Sequence, residues 1–594
     1  MSIYDKSSLV LIPSGTKTGK VFSQKPVSGD GDFTFTRASA ATRVNADGNI
    51  EKETGNLLTY SNTFDNAAWG NSGAFVTGGE SGYDGTNNAW RLGAVNSSPY
   101  ISQGNFSTLR THSLYVKAGT YDQVSIIIGG YGQGVQFDLT SGTIVVNSNP
   151  SIYYPTITSV VSGWYRISVF VAPSAPTYGF LIAAQILYSG GISVGEYIYI
   201  QAAQTEQSLV ARDYIETTTA AVYGGITDNT PRLDYTDSSC PALLLEPQRT
   251  NLLSQSEYVN GSPDVSNSTI TSNAATSPEG LVNASKVVPN TSNTFHWFGQ
   301  VLNSQTSGNY TQTIFAKADT YNHLFMVIRT DSGSKRYGVK FNLSNGTFVD
   351  DITFGSPTQT NYSIEDYGNG WYRCSASSNH SSGAVIALFG ASLGGALSDI
   401  NNSFQGDGTS GIYVYGAQLE AGSYATSYIP TYGSSVSRVG DALVKTSASS
   451  LINSEEGVVF VDITLNGLTN FGTPLALNDG TTGNYIWLTI FGNGNLRAEV
   501  WNGSVQAQMS YSGAVVGGRY KMAFAYAPND FALYVNGTQV GTGNSGATFS
   551  ANTLSRIDSN LLTPSLSVSA YLNNQTLLFK TRLSNEELAA LTTI

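Results

Sequence analysis

Between residues 484 and 511 the chain sorts its chemistry onto two faces. Ile486, Leu488 and Ile490 alternate with Tyr485, Trp487, Thr489 and Phe491, and Leu496, Ala498 and Val500 alternate with Arg497, Glu499 and Trp501. A period of two marks strands with one buried face. Asn502-Gly503 reads as a two-residue hairpin loop, which sets Trp501 opposite Ser504, Glu499 opposite Gln506 and Arg497 opposite Gln508. With Asn493-Gly494-Asn495 as the preceding loop, Trp487 stands opposite Trp501. Aliphatic side chains then fill one face, while Trp487, Trp501, Arg497, Glu499, Gln506 and Gln508 share the other. Flat aromatics stack on sugar rings and planar polar groups hold hydroxyls, so these six are the candidate glycan-binding residues. The same set also suits a subunit or domain interface, which is rich in Trp, Tyr and Arg.

Patterns for catalysis are missing from the sequence. Glu499 stands alone and Glu455-Glu456 are adjacent, so neither supplies an acid and a base facing one glycosidic bond. A carboxylate pair assembled from distant strands stays open at this level. His112, His296, His323 and His380 form no His-x-x-x-His or His-Glu pattern, and neither Gly-x-Ser-x-Gly nor a Walker-type lysine loop occurs. No catalytic residue and no cofactor is assigned, and the expectation is a non-enzymatic protein. A structural Ca²⁺ is compatible with jelly-roll modules. No ligand set for it is assignable, because the Asp residues sit mostly in turns that Asx chemistry explains. Cys240 and Cys374 are too few for a disulfide framework or a Cys-spaced zinc site.

A second conspicuous group is Gly163-Trp164-Tyr165-Arg166, repeated as Gly370-Trp371-Tyr372-Arg373. Its surroundings repeat with it. Asn56-Leu57-Leu58 returns as Asn251-Leu252-Leu253, Tyr115-Val116-Lys117-Ala118 as Phe315-Ala316-Lys317-Ala318, and Ala203-Gln204-Thr205-Glu206 as Ala417-Gln418-Leu419-Glu420. Tyr214-Ile215 returns as Tyr428-Ile429, so the offset grows from 195 at Asn56/Asn251 to 214 at Tyr214/Tyr428. So long a period means duplicated domains, not a solenoid. Tyr165, Ile167, Val169 and Val171 alternate inward, as do Tyr372, Cys374 and Ala376, which makes Cys374 a small core residue. Trp164 and Trp371 fall on the other side beside Arg166 and Arg373. That pairing reads as a structural stack, with a sugar platform as the alternative.

These groups need strands to position them, and the composition supplies little else. Only 12% of the 594 residues are charged, with 35 Tyr and 25 Phe, against the roughly 25% charge of an average domain. Long amphipathic helices have no wet face to use here, whereas aromatics on short strands with Gly and Asn at turns suit antiparallel sheets. The expected class is all-β. Two tandem jelly-roll sandwiches resembling carbohydrate-binding modules are followed by a third sandwich. The divisions are a head or docking segment at 1–55, repeat one at 56–215, an ordered connector at 216–250, repeat two at 251–430, a linker at 431–445 and the last domain at 446–594. Within the head, Phe33-Thr34-Phe35-Thr36 alternates like a strand and Asp47-Gly48 marks a hairpin. A net charge of −12 argues against nucleic acid as a partner. No apolar run is long enough for membrane insertion, and Leu9 to Pro13 is too short for a signal-peptide core.

The last block resembles the laminin G-like branch of the concanavalin A-like lectin/glucanase superfamily. The carrying residues are Tyr520-Lys521-Met522-Ala523, then Leu533-Tyr534-Val535-Asn536-Gly537, then Arg582-Leu583-Ser584-Asn585-Glu586-Glu587-Leu588. That likeness implies a jelly-roll sandwich. The repeats are similar, through Gly-Trp-Tyr-Arg, to galactose-binding-type sandwiches of carbohydrate-binding modules. Thr36-Arg37-Ala38-Ser39-Ala40-Ala41-Thr42-Arg43-Val44-Asn45 and Pro231 to Asn251 resemble segments of head-fibre or tail-fibre proteins of tailed gut phages, including crAss-like phages. The implied function is a virion structural protein that displays lectin-like domains to host or environmental glycans. Its expected partners are itself, as a homo-oligomer with a trimer favoured, other capsid or tail proteins, and cell-surface or mucus glycans. Its expected place is the particle surface. The alternatives are a bacterial carbohydrate-binding adhesin and a glycan hydrolase with binding modules.

Overall fold

The computed structural model describes residues 3–128, 134–148, 152–172, 178–184, 191–261, 264–330, 335–397, 399–468, 471–559 and 570–594. Nearly all regular structure is antiparallel strand, in three sandwiches. Among the described residues no helix is long and apolar enough to cross a membrane.

The first sandwich faces one six-stranded sheet, containing Arg110–Ala118, Trp164–Val171 and Tyr197–Glu206, against another containing Gln123–Ile128 and Gly134–Asp138. The second repeats this with Gly308–Ala318, Trp371–His380 and Ile412–Ala421 against His323–Thr330 and Arg336–Asn342. The duplication reaches the register: Lys117 pairs with Trp164 and Tyr115 with Arg166, as Lys317 pairs with Trp371 and Phe315 with Arg373. Ile167, Val169 and Val171 point into one core, and Cys374 and Ala376 into the other. Burial pushes the Cys374 thiol well above its ordinary range.

The repeated polar landmarks are laces. Asn56 Nδ2 donates to the carbonyls of Ala203 and Ile215, and Asn251 Nδ2 donates to those of Ala417 and Ile429. Gln204 Oε1 accepts from Ile215 N at 2.8 Å and Gln418 Oε1 from Ile429 N at 2.7 Å. Glu206 accepts from Arg212 N and Glu420 from Thr426 N. Each copy thereby ties its lead-in segment and its exit segment to one central strand, giving these backbone carbonyls and N–H groups side-chain partners.

The third sandwich is not made from 446–594 alone. Its eight-stranded sheet takes Ser7–Leu11 from the head and Leu233–Asp234 and Ala242–Leu245 from the connector, all joined through Tyr571–Phe579. Its nine-stranded sheet runs Thr16–Lys17, Lys20–Val21, Phe33–Thr36, Ala442–Lys445, Arg556–Asp558, Gly472–Asn478, Asn484–Ile490, Leu496–Asn502, Val505–Tyr511. Leu9, Leu11, Phe33, Phe35, Leu243 and Leu245 share one core with Val459, Ile486 and Phe524. The division into a head at 1–55, a connector at 216–250 and a domain at 446–594 therefore does not follow the sheets. The physical reason is core volume. The two inner faces need these apolar side chains to close, and about 1.5–3 kcal/mol per buried side chain favours their insertion. Turn and cap chemistry is regular within this sandwich. Val535 pairs with Thr538 across Asn536-Gly537, whose φ angles are 49° and 78°. Ser584 and Glu587 form a capping box on the helix Asn585–Thr592.

Where head, connector and second sandwich meet, charges are buried. Arg37 Nη1 lies 3.2 Å from Asp441. Arg232 bridges Asp441 and Glu246, and Arg438 lies 2.6 Å from Glu246. Burial alone would raise the Glu246 carboxyl, but Arg438, Arg232 and Ser427 hold it far below the usual range. A second network joins Lys52 to Glu257 and Glu279, and Arg212 of the first sandwich to Glu279 of the second.

Candidate functional site

The candidate residues lie on the outer face of the nine-stranded sheet. Ile486, Leu488, Ile490, Leu496, Ala498 and Val500 are in the core, so the intervening side chains point outward. The pairing differs from that expected. Tyr485, not Trp487, faces Trp501, and Trp487 faces Glu499. The turn is Gly492-Asn493-Gly494, one residue earlier than Asn493-Gly494-Asn495: Ile490 pairs with Leu496, and Phe491 N donates to Asn495 O at 2.9 Å. The shift is two residues, so the face is kept and only the partners change. After the Asn502-Gly503 turn a bulge changes the register, and Glu499 faces Gln508 while Arg497 faces Ser510. The expected pairs Trp501–Ser504, Glu499–Gln506 and Arg497–Gln508 do not form. Gln506 is the unpaired bulge residue; its Oε1 accepts from Ala547 N at 3.1 Å and its Nε2 donates to Ser504. It is committed to its own loop.

What remains is a run of rings. Phe491 and Phe471 lie 5.4 Å apart between centroids, Phe471 and Trp487 5.4 Å, Trp487 and Tyr485 4.1 Å, and Tyr485 and Trp501 6.1 Å with planes 6° apart. Trp487, Trp501, Phe471, Phe491 and Arg497 are half-buried and Gln508 is exposed. Glu499 is buried beneath them, accepting from the Tyr485 hydroxyl at 3.0 Å and lying 3.8 Å from Arg497. Burial, then the Glu499 charge, pushes the Tyr485 phenol up, so it stays a neutral donor. Arg497 is also laid 4.4 Å over the Phe491 ring. Glu499 therefore positions Tyr485 and Arg497 rather than presenting itself to solvent. Trp487 Nε1 is buried with no hydrogen-bond partner among the described residues, a donor without an acceptor. Phe471, Tyr485 and Phe491 were not among the six candidates, although Tyr485 and Phe491 follow the same alternation.

Asp558, Ala476, Trp487, Glu499 and Gln508 form one cross-strand row. The two carboxylates of that row are three strands apart, or about 14 Å between backbones, and Asp558 is bound by Arg556 and by Asn478 at 2.8 Å. Glycosidases hold their carboxyls roughly 5–9.5 Å apart. The carboxylate spacing of this row lies outside that range.

The Gly-Trp-Tyr-Arg tryptophans are not a platform. Trp164 and Trp371 are each 2% exposed. Trp371 Nε1 donates to Thr276 O at 3.0 Å, Arg373 caps the Thr426 carbonyl at 2.6 Å, and Arg373 lies over the Phe315 ring. Among the described residues no three His, Cys, Asp or Glu side chains converge to hold a metal ion. Asp84, Asp138, Asp407 and Asp479 each accept the backbone N–H two residues on, as Asx turns do.

No family model matches the chain and no curated protein matches it. Solved structures resemble about a quarter of it at a time. The CBM40 of the Ruminococcus gnavus IT-sialidase, bound to α2,3 sialyllactose, has 16% identity over 24% of this chain and 83% of that chain, with a TM-score of 0.22. The NanB sialidase from Streptococcus pneumoniae has 14% identity over 24% of this chain and 25% of that one, TM-score 0.22. The botulinum neurotoxin serotype D binding domain has 14% identity over 26% and 40%, TM-score 0.22.

Proposed function

We propose that this is a non-enzymatic glycan-binding protein whose binding face is the outer side of the nine-stranded sheet, with Trp487, Trp501, Arg497 and Gln508 meeting the sugar. The observation that carries this reading is the run of rings, half-buried around the buried Tyr485 and bordered by Arg497 and Gln508, with the Trp487 donor left without an acceptor among the described residues. Rings offer stacking area, and fixed planar donors meet hydroxyls at low entropic cost. We further propose that the chain is a fibre or decoration protein of a phage particle, displayed as a homo-oligomer. The sequence likeness of the head and connector to such proteins supports this.

Replacing Trp487 and Trp501 by Ala and measuring adhesion to glycan-coated surfaces beside oligomeric state tests the face. Lost adhesion with an unchanged oligomer is the expected result. Lost assembly with intact adhesion would make the face a subunit interface. Mass spectrometry of purified virions tests the location, and absence of the chain from the particle would leave the bacterial adhesin reading in its place.

A further inference from the structure

A groove of about 760 Å³ runs between the second and third sandwiches, lined by residues that include Arg249, Asn309, Gln359, Tyr424, Phe491 and Asn493. Phe491 also belongs to the ring run, so the groove opens from the end of the aromatic face. Its chemistry is amide, hydroxyl, guanidinium and aromatic; none of its lining residues is Asp, Glu, Lys or His. The one cation is already compensated, since Arg249 Nε lies 3.8 Å from the Glu420 carboxylate and its guanidinium rests 5.2 Å from the Tyr424 ring centroid. The Tyr424 hydroxyl is buried and has no hydrogen-bond partner among the described residues, a costly state unless a ligand or water fills it.

Two further observations bear on how the groove is built. The Tyr424 ring sits against the Gly467 backbone of the third sandwich, where a Cβ would come within 2.1 Å. The groove wall is therefore fixed by close approach. In the first sandwich the positions equivalent to Arg249 and Tyr424 are Thr54 and Val210, offset by 195 and 214 from Asn56/Asn251 and Glu206/Glu420 respectively. That copy builds the same laced turn without them. The pair is not a requirement of the fold.

We infer that the groove is a second subsite continuing the aromatic face, so that the protein binds an extended neutral glycan chain and not an isolated terminal sugar. The inference rests on the reading of the ring run as a glycan site. The third sandwich stacks the first sugars on Trp487 and Phe471, and the chain passes Phe491 into the groove, where Tyr424 donates to a sugar oxygen and the amides of Gln359 and Asn493 meet hydroxyls.

The test is calorimetric titration of the full chain with gluco-, manno- and galacto-oligosaccharides, as disaccharides and hexasaccharides. Three variants are compared: Tyr424→Phe removes the donor, Ser423→Trp obstructs the groove from its exposed rim, and Trp487→Ala opens the face. The native protein is expected to bind a hexasaccharide roughly tenfold tighter than the disaccharide, as one or two added hydrogen bonds allow. Both groove variants lose that gain and keep disaccharide binding, whereas Trp487→Ala loses both. Hexasaccharide affinity unchanged in both groove variants, or no gain with length in the native chain, overturns the groove and leaves the face standing. No binding of any oligosaccharide by the native chain overturns both.

Discussion

Trp371 and Trp487 both sit on outward-pointing strand positions, and their surroundings give them opposite roles. Trp371 is covered by neighbouring segments of its own repeat and has its indole N–H satisfied by Thr276. Trp371→Ala is expected to destabilise the second sandwich by about 3–5 kcal/mol, the cost of emptying a fully buried aromatic site, with little change in glycan affinity of the protein that remains folded. Denaturant unfolding against binding checks this. Glu246 behaves differently again. Glu246→Gln takes the paired carboxylate from buried Arg438 and leaves Arg232 to Asp441 alone, and loss of one partner of a buried ionic group costs about 3–5 kcal/mol. A midpoint in urea equal to that of the native chain would refute the hub as a stabilising unit.

At the scale of elements, the informative segment is the head. Phe33-Thr34-Phe35-Thr36 shows clean alternation, with Phe33 and Phe35 buried and both threonines exposed. That pattern fixes a half-buried strand. It does not say which sheet the strand joins, because any sheet edge offers the same ladder. Pairing with Ala442–Lys445 is decided only when the third core is assembled. A chain lacking residues 1–36 is therefore expected to lose the third sandwich: limited proteolysis should cleave within 446–594, while the first sandwich stays resistant. Resistance of 446–594 in the truncated chain would show that the head is dispensable. The strand pair at 484–502 makes the same point on a smaller scale. Its two faces are legible from alternation, but the position of the loop and the bulge at Gln506 decide who stands opposite whom.

At the scale of the molecule, buried histidines couple the sandwiches to pH. Burial, then Arg110, pushes His112 of the first sandwich down to about 3, and burial, then Lys335, pushes His380 of the second down to about 4, from an ordinary 6.5. Both groups are depressed on folding. The unfolded chain therefore binds more protons than the folded one below about pH 6.5, and stability is lost as pH falls from there. Glu246, also depressed from 4.5, contributes fully above that value and adds to the loss below it. Melting temperatures are expected to be flat above neutrality, to decline from about pH 6.5 and to steepen below about 4.5. A flat profile between about pH 7 and 5 would contradict the buried-neutral assignment.

The sequence by itself determined the all-β class, the duplication and its register, the inward placement of Cys374, and the existence of one aliphatic and one aromatic face at 484–511. These are properties of period and repeat, and period is local. The ring run was half legible: Trp487, Trp501, Arg497 and Gln508 follow from alternation, whereas Phe471 joins them across a loop. Only the tertiary structure decided that residues from the head and connector complete the third sandwich, that Arg37, Arg232 and Arg438 share two buried carboxylates, and that Phe491 stands at the mouth of a groove walled by the second repeat. Most of those contacts join residues far apart in the sequence, as Arg37 and Asp441 are. They are selected by which apolar faces and charges remain unmatched once each local unit has formed.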